Sequence, residues 1–478
     1  CALEGDDGFG IMDLYGDIIC IGTIADVVDL QGENRMIAKY GIESLKHTQN
    51  IGLSALLDVA GIKREGLTAQ TVAFAIAPRI NATGRMDQTR KAVELFTSEE
   101  EEMCLSLAHE IDTLNQQRKE IEGIISKEIA KKIKDNPLVL NEKIIVIAGE
   151  NWHHGILGII ASRIVNAYGK PVILLGIDGE ETRGSCRSVD GFSIIDAIFG
   201  ASGNLQKFGG HPQAAGLRLA TQNIELFKKD ILLFVDENYV SMPFDNIKID
   251  AELSPKELTI EIVNEIFLLE PFGAGNTTPN FIVTNLTIQA IRYIGQNKHT
   301  KLTLLKDGTS FDALLFGCGV GEFVYETGNK VSIIVNLDIN EYNGAKTVSC
   351  KICEIAPADF DQDTLLNAHE IYDKIMRADS VESVVDYIPT REDIALIYKF
   401  IKKSGNFVTD MIALYHKLGY CIHFAKLKLA IAVLLEANLV EIIKKEGTSY
   451  YRIVENPIKI ELENTKVLQT IKSNYGLS

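Results

Sequence analysis

The sequence predicts an α/β protein built from several domains in series. Three observations carry this. A chain of 478 residues exceeds the roughly 100–200 residues of a typical single domain. An unbroken helical period runs from about 98 to 133. Beyond it the pattern changes, first to strand alternating with helix from 143, then to strands alone over 247–356.

In chain order, 16–30 (GDIICIGTIADVVDL) is an apolar run closed by Asp26 and Asp29, read as a buried strand ending in a loop. Residues 51–60 and 68–77 read as helices, and 77–86 (APRINATGRM) as a polar loop carrying two arginines. Ser98 opens a long helix with Glu99–Glu102 in its first turn and lysines in its last turns, complementing the helix dipole. It either packs within one domain or bridges two. From 143 follow strand, loop, helix, strand and the strand-like ETRGSCRS, and FGGHPQAAG closes a compact α/β unit near 240. About five strands joined by short turns then suggest a small barrel of the OB type. Acidic, proline-bearing 356–363 reads as a linker, and 391–478 as three helices and a β-pair resembling a winged helix.

Composition excludes some classes. Hydrophobic residues make up 46%, enough for buried cores, but no apolar run approaches the ~20 residues that span a bilayer. No charged and then apolar leader stands at the start, and Cys1 with its neighbours reads as the interior of a longer protein. Eight scattered cysteines suggest a reducing cytoplasm. Cys350 and Cys353 have a metal-like spacing, but in a strand they face opposite sides. A net charge of −17 argues against a generally basic surface, though it allows a local basic groove.

Several residues could carry chemistry. Asp26 suits a hard metal ligand, or else a turn. Ser185 and Arg187 share a strand face and could clamp a phosphate, or else line an exposed edge. Gly209 and Gly210 permit close backbone approach to an anion, with His211 donating, or else form a plain turn before a core histidine. His154 precedes a helix whose N-terminus favours anions, or else only packs there. Arg292, Lys298, His299, Lys301 and Lys306, with Tyr293 and Phe311, suit a single strand on the barrel, or form a solvated face.

Six ordered stretches carry a resemblance: 22–30, 77–87, 151–164, 182–188, 208–216 and 269–281. The chain resembles the RecJ family of single-strand-specific 5′→3′ DNA exonucleases, of the DHH phosphoesterase superfamily, over about 11–357. The resemblance implies the remainder of a DHH catalytic domain (1–97), a linking helix (98–140), a DHH-associated substrate domain (141–242), an OB-fold (245–357) and a winged-helix-like C-terminal domain (364–478). It implies two Mn²⁺ or Mg²⁺ ions, with Asp26 matching a metal-binding aspartate. Ser185, Arg187, Gly209, Gly210 and His211 match the substrate-phosphate side, and Arg79, Asn81 and Arg85 the loop beside the active site. The family's earlier aspartate and Asp-His-His motifs are absent from the chain, so it is expected to be inactive alone. A role in DNA repair and recombination, single-stranded DNA as partner, a helicase or single-strand-binding protein as further partner, and a monomeric state are the remaining expectations. The alternatives are a DHH phosphoesterase acting on short RNA or dinucleotides, and a non-catalytic replication scaffold.

Overall fold

The computed structural model describes residues 8–140, 142–239, 242–243, 247–342, 344–445, 448–455, 457 and 461–477. Cys1 lies outside them. The chain divides into two compact units. The first holds Cys1–Ile133, Glu142–Leu232 and Glu261–Pro279, and the second holds Lys134–Asn141, Leu233–Ile260 and Asn280–Ser478.

The first unit opens with helix α1 (Gly8–Ala25), where a strand was expected. Gly16, Asp17, Cys20, Ile21 and Ile24 are its buried residues, recurring three and four apart. An apolar run of this length suits either period, and a partner for one stripe decides it. Asp26 follows in an exposed turn, its N–H bonded to Gly22 O at 3.0 Å. Next come α2 (Gly32–Lys46) and α3 (Ile51–Val59), the latter capped by Asn50 Oδ1 accepting from the Leu53 N–H at 2.8 Å. Then α4 (Ala69–Thr71) runs through a π-turn (Val72–Ile76) into α5 (Ala77–Arg85). The stretch expected as a polar loop is therefore helical. Pro78 stands in its first turn, a position where proline is tolerated. Helix α6 (Thr89–Thr97) and the helices before it bury Leu45, Leu53, Leu57, Ile76 and Leu95 in one core.

Helix α7 (Glu101–Asp135) is 35 residues long, or ~52 Å. It starts three residues later than expected, and Ser98 Oγ instead accepts from the Glu100 N–H at 3.2 Å. Its Leu107 and Ile111 join the core of the preceding helices.

The α/β part is a five-stranded sheet with strand order β1-β2-β3-β5-β4. In chain order it comprises β1 (Ile145–Glu150), α8 (His154–Tyr168), β2 (Val172–Asp178), β3 (Glu181–Arg187), α9 (Ile194–Gly200), β4 (Lys207–His211) and β5 (Ala214–Ala220). Only β1 and β2 pair in parallel. The FGGHPQAAG stretch is thus a hairpin that turns at Pro212-Gln213, with Gly209 and Gly210 within β4 and Gly216 within β5. Helix α10 (Ile224–Asn238) follows.

Strand β6 (Ala251–Glu252) begins the second unit's sheet. Helix α11 (Ile260–Phe267) and the loop after it belong almost wholly to the first unit. Strands β7 (Phe281–Ile294), β8 (His299–Lys306), β9 (Thr309–Leu315), β10 (Lys330–Tyr342) and β11 (Ala345–Pro357) then close a barrel, because β10 pairs with both β11 and β7. In β11, Cys350 is buried and Cys353 exposed, as alternation requires. The expected linker is short: Asp361 already caps α12 (Gln362–Arg377), accepting from the Asp363 and Thr364 N–H groups. The C-terminal part runs α13 (Arg391–Ser404), β12 (Asn406–Val408), α14 (Met411–Lys417), α15 (Phe424–Glu436), β13 (Val440–Lys445), β14 (Thr448–Ile453) and α16 (Lys466–Asn474). Helices α13, α14 and α15 with a three-stranded sheet of order β12-β14-β13 give it a winged-helix arrangement, and α16 follows where the sequence suggested no fourth helix.

Candidate nucleic-acid interface

The site in the first unit is built on β3, β5 and β4. Residues directly opposite in an antiparallel sheet share a face, so register alone defines rows across the three strands. Arg187, Ala214 and His211 form one row. Ser185, Gly216 and Gly209 form the next, and Arg183, Arg218 and Lys207 the third. Helix α8 packs on this face over β2 and β3. A Cβ on its Gly158 would stand 2.7 Å from Arg187 Nη2 and 3.1 Å from Ser185 Oγ. Over β5 and β4 the same face borders a groove of about 400 Å³, lined among others by His154, Ser185, Gly209 and Gly216.

The two glycines of β4 differ. Gly210 has φ +153°, and a Cβ there would meet Ala214 O at 2.4 Å. Gly209 would meet nothing, so its bare backbone simply borders the groove. His211 is exposed in the Arg187 row.

Arg187 is half-buried, and desolvation lowers its guanidinium pKa. Arg85, at the end of α5, donates through Nη1 to Gly155 O at 2.8 Å in the first turn of α8. Burial first, then the charges of Arg118 and Arg187, lower its pKa as well. Arg118 of α7 is only 7% exposed. It donates to Glu122 Oε2 at 2.9 Å and to Asn115 Oδ1 at 3.0 Å, while its Nε has no partner. Glu122, 4% exposed, also pairs with Arg163 of α8. Arg85, Arg118 and Arg163 thus share one interacting carboxylate, Glu122, and Arg187 adds a further positive charge felt by Arg85. The neighbouring α8 N-terminus carries no acidic residue in its first turn. Such a place favours an anion. His153 at the helix cap stacks on His154 at 5.2 Å, and its buried Nδ1 lacks a partner. Trp152 ties the same loop to α7, donating to Glu128 Oε2 at 2.8 Å.

The other expected residues are placed differently. Arg79 is committed internally: it donates to Asp112 Oδ1 at 2.8 Å and to Ala75 O at 2.7 Å, bracing α5 against α7. Asn81 is exposed on α5. Among the described residues, no three His, Cys, Asp or Glu side chains gather as a metal site. Asp26 is exposed, and Asp29, three residues on, lies against a docked loop. There the Leu30 N–H donates to Ala274 O at 2.7 Å, Gln31 Nε2 to Gly275 O and Arg35 Nη2 to Leu269 O, both at 2.6 Å.

In the second unit, Arg292 and Lys301 face each other across β7 and β8 on the barrel's outer side. They share Asp312, at 3.9 and 2.8 Å. Burial raises the Asp312 carboxyl, but hydrogen bonds from Lys301 and Thr303 outweigh it and hold it below the usual range. Tyr293 and Phe311 pair with Thr300 and Leu304, both buried, so they sit on the inner face. Charge and rings therefore do not interleave on one face as expected. Lys298 is exposed in the β7–β8 turn beside His299, whose ring meets the exposed Phe316 edge-on at 5.3 Å.

Sequence reading missed Arg118, Glu122, Trp152, Gly158, Lys207 and Arg218. The first pair was findable, because Arg118 and Glu122 interrupt the apolar stripe of α7. Lys207 and Arg218 stand two residues outside Gly209 and Gly216, which places them on the same face.

Two family models match the chain: the DHHA1 domain over 141–237 and the RecJ OB domain over 249–354. The single-stranded-DNA-specific exonuclease RecJ of Bacillus subtilis is 33% identical over 348 residues, 72% of this chain and 44% of that protein. RecJ of Haemophilus influenzae is also 33% identical, over 72% of this chain and 62% of that protein. Crystal structures of Thermus thermophilus RecJ with Mg²⁺ and with Mn²⁺ match with TM-scores of 0.62 and 0.64 at 27% identity. They cover 72% and 73% of this chain and 52% and 50% of those chains. The chain thus spans less than two thirds of the length of these relatives. No helix among the described residues is long and apolar enough to cross a membrane.

Proposed function

Because this chain is homologous to the RecJ exonucleases and carries their DHHA1 and OB domains, we propose that it receives single-stranded DNA by its 5′-phosphorylated end, in an enzyme that hydrolyses phosphodiesters from that end. One observation carries the reading. Arg85 and Arg187 stand at the first turns of α8 with the charge of Arg118 near them, and among the described residues Glu122 is the one carboxylate among these charges. A terminal phosphate brings the missing negative charge, and Arg187, Ser185 and His211 offer donors to its oxygens.

The roles divide by position. Arg187 and Ser185 hold the terminal phosphate, Arg85 adds charge from α5, and His211 donates from the β4 side. Gly209 lets the strand lie close to the backbone. Arg118, Glu122 and Arg163 fix the arginine positions from behind. The exposed Lys298 and Phe316 of the barrel offer charge and a stacking surface to a single strand. Asp26 alone does not fit the two divalent ions of a two-metal hydrolase. We therefore assign hydrolysis to no residue set of this chain and expect the chain to bind without cutting.

The test is fluorescence anisotropy of the 478-residue chain with thymidine oligomers bearing a 5′ phosphate or a 5′ hydroxyl, at several salt concentrations. The 5′-phosphorylated strand should bind about tenfold more tightly, and Arg187→Ala should erase the difference. Equal affinity for the two strands would refute the reading. A preference for duplex would favour another nucleic-acid role, and Mn²⁺-dependent digestion abolished by Asp26→Ala would overturn the expectation of inactivity.

A further inference from the structure

In the C-terminal domain, helices α14 and α15 form a helix-turn-helix, a motif whose second helix commonly enters the major groove of a duplex. Here α15 is covered. Helices α12, α13 and α16 pack on it, and eight of its thirteen residues are buried. Its lysines are engaged inside the domain: Lys426 pairs with Asp393 at 3.3 Å, and Lys428 Nζ lies 3.1 Å from His369 Nδ1 and over the Tyr372 ring. A duplex therefore meets no free reading helix. The domain's other engagement is with the barrel. The loop 316–329 between β9 and β10 carries the exposed Phe316 and Val320. One side of it rests on the β7–β8 hairpin. The Val320 N–H donates to Asn297 O at 3.1 Å, the Gly317 N–H to His299 Nδ1 at 2.9 Å, and Thr300 Oγ1 to Cys318 O at 2.7 Å. Gly319 leaves no room for a side chain there, since a Cβ would stand 2.3 Å from Asn297 O. The other side meets the C-terminal domain. Lys417 Nζ, at the end of α14, donates to Glu326 Oε1 at 2.8 Å, and the His416 ring lies 6.0 Å from that of Tyr325. Beside these contacts, Phe323 and Val324 border a groove of about 390 Å³ with Phe400 and Phe407. The loop is thus held from behind by a few discrete contacts and not by a filled core.

We propose that His416 and Lys417 are positioning residues for single-strand binding. From α14 they clamp the barrel loop that presents Phe316 and backs the turn of Lys298, so the C-terminal domain acts on the strand through that loop without touching it. The proposal rests on the reading of Lys298 and Phe316 as strand contacts. A long loop without regular structure samples many conformations when released. Fixing it beforehand removes an ordering cost that binding would otherwise carry.

The experiment compares the 478-residue chain with its His416→Ala/Lys417→Ala variant, and with Lys417→Arg as the conservative control. Hydrogen exchange is followed at 316–328, affinity for oligothymidine by anisotropy at several salt concentrations, and folding by circular dichroism. The double variant should exchange faster at 316–328 and bind about fivefold more weakly, the low end for one base–aromatic stack. Its slope of log affinity against log salt should equal that of wild type, because no phosphate contact is removed. Lys417→Arg should keep both protection and affinity. Glu326→Ala, which breaks the same contact from the barrel side, should shift exchange and affinity in the direction of the double variant, and it decides the matter if that variant fails to fold. A slope shallower by ~0.7, the value of one phosphate contact on a single strand, would show that α14 touches the strand itself and overturn the proposal. Unchanged exchange, or faster exchange with unchanged affinity, would overturn it as well. Phe316→Ala separates the two readings. If it leaves oligothymidine affinity unchanged, the barrel's strand contact is wrong. If it weakens binding and the double variant does not, only the clamp is wrong.

Discussion

Replacing Gly158 by alanine should separate binding from stability. Gly158 lies inside α8, and its missing Cβ leaves room for the Arg187 guanidinium, with Nη2 at 2.7 Å and Cζ at 3.3 Å from the ideal Cβ position. Ordinary contact begins near 3.4 Å, so Nη2 must retreat by about 0.7 Å. The atom is the far end of a flexible side chain, so the move is cheap for the fold. Alanine in a helix interior is favoured over glycine by ~0.8–1.0 kcal/mol, which should offset the crowding. For a bound phosphate the same displacement spoils a charge-assisted hydrogen bond worth ~1.5–3 kcal/mol, or roughly 10- to 150-fold in affinity. The assay is anisotropy with 5′-phosphorylated and 5′-hydroxyl strands, beside a thermal melt. The expected result is unchanged or raised Tm, with a selective loss on the phosphorylated strand. Unchanged affinity for that strand would show that the guanidinium beside Gly158 is no phosphate ligand.

Three further outcomes follow from other places in the fold. Glu122→Gln removes the carboxylate that compensates buried Arg118, so it should destabilise the first unit by roughly 3–5 kcal/mol, and an unchanged calorimetric Tm would contradict this. Asp312→Asn should release Lys301 and Arg292 on the barrel and strengthen single-strand binding, with a steeper salt dependence. Weaker or salt-indifferent binding would count against the barrel's outer face. Burial, then the neighbouring Lys428 charge, lowers His369 from 6.5 to about 4. The folded state therefore prefers the neutral ring, and stability held above 6.5 is lost as pH falls toward 4. His369→Phe should flatten the pH dependence of melting over that range, and parallel curves for wild type and variant would refute it.

The legible parts of the sequence were those where period and punctuation agreed. The long helix, the strand–helix–strand start of the sheet and the barrel strands each had one dominant period. The strand expected at 16–30 failed because an apolar run carries both periods until a partner selects one. The APRINATGRM stretch looked like a loop because its polar residues and Pro78 hid a short helix. Ser185 and Arg187 could be placed on one face by alternation alone. Their neighbours Lys207 and Arg218 could not be joined to them, because only the β3-β5-β4 register brings the three strands together. Arg79 illustrates the limit on a single residue: its identity suited a phosphate, while Asp112, 33 positions away, already holds it.

Strand β4 is the outer strand of its sheet, five residues long, with Lys207, Gly209, Gly210 and His211 all exposed. Its two glycines bury no side chain, and of its residues only Phe208 packs, against the largely exposed Phe199. Such a strand opens at lower free energy than the interior of the sheet, so its amides should exchange with solvent hydrogen early. A ligand that bridges Arg187 and His211 would close that opening. Slowed exchange confined to 207–211 would then report occupancy even where no nucleotide is consumed.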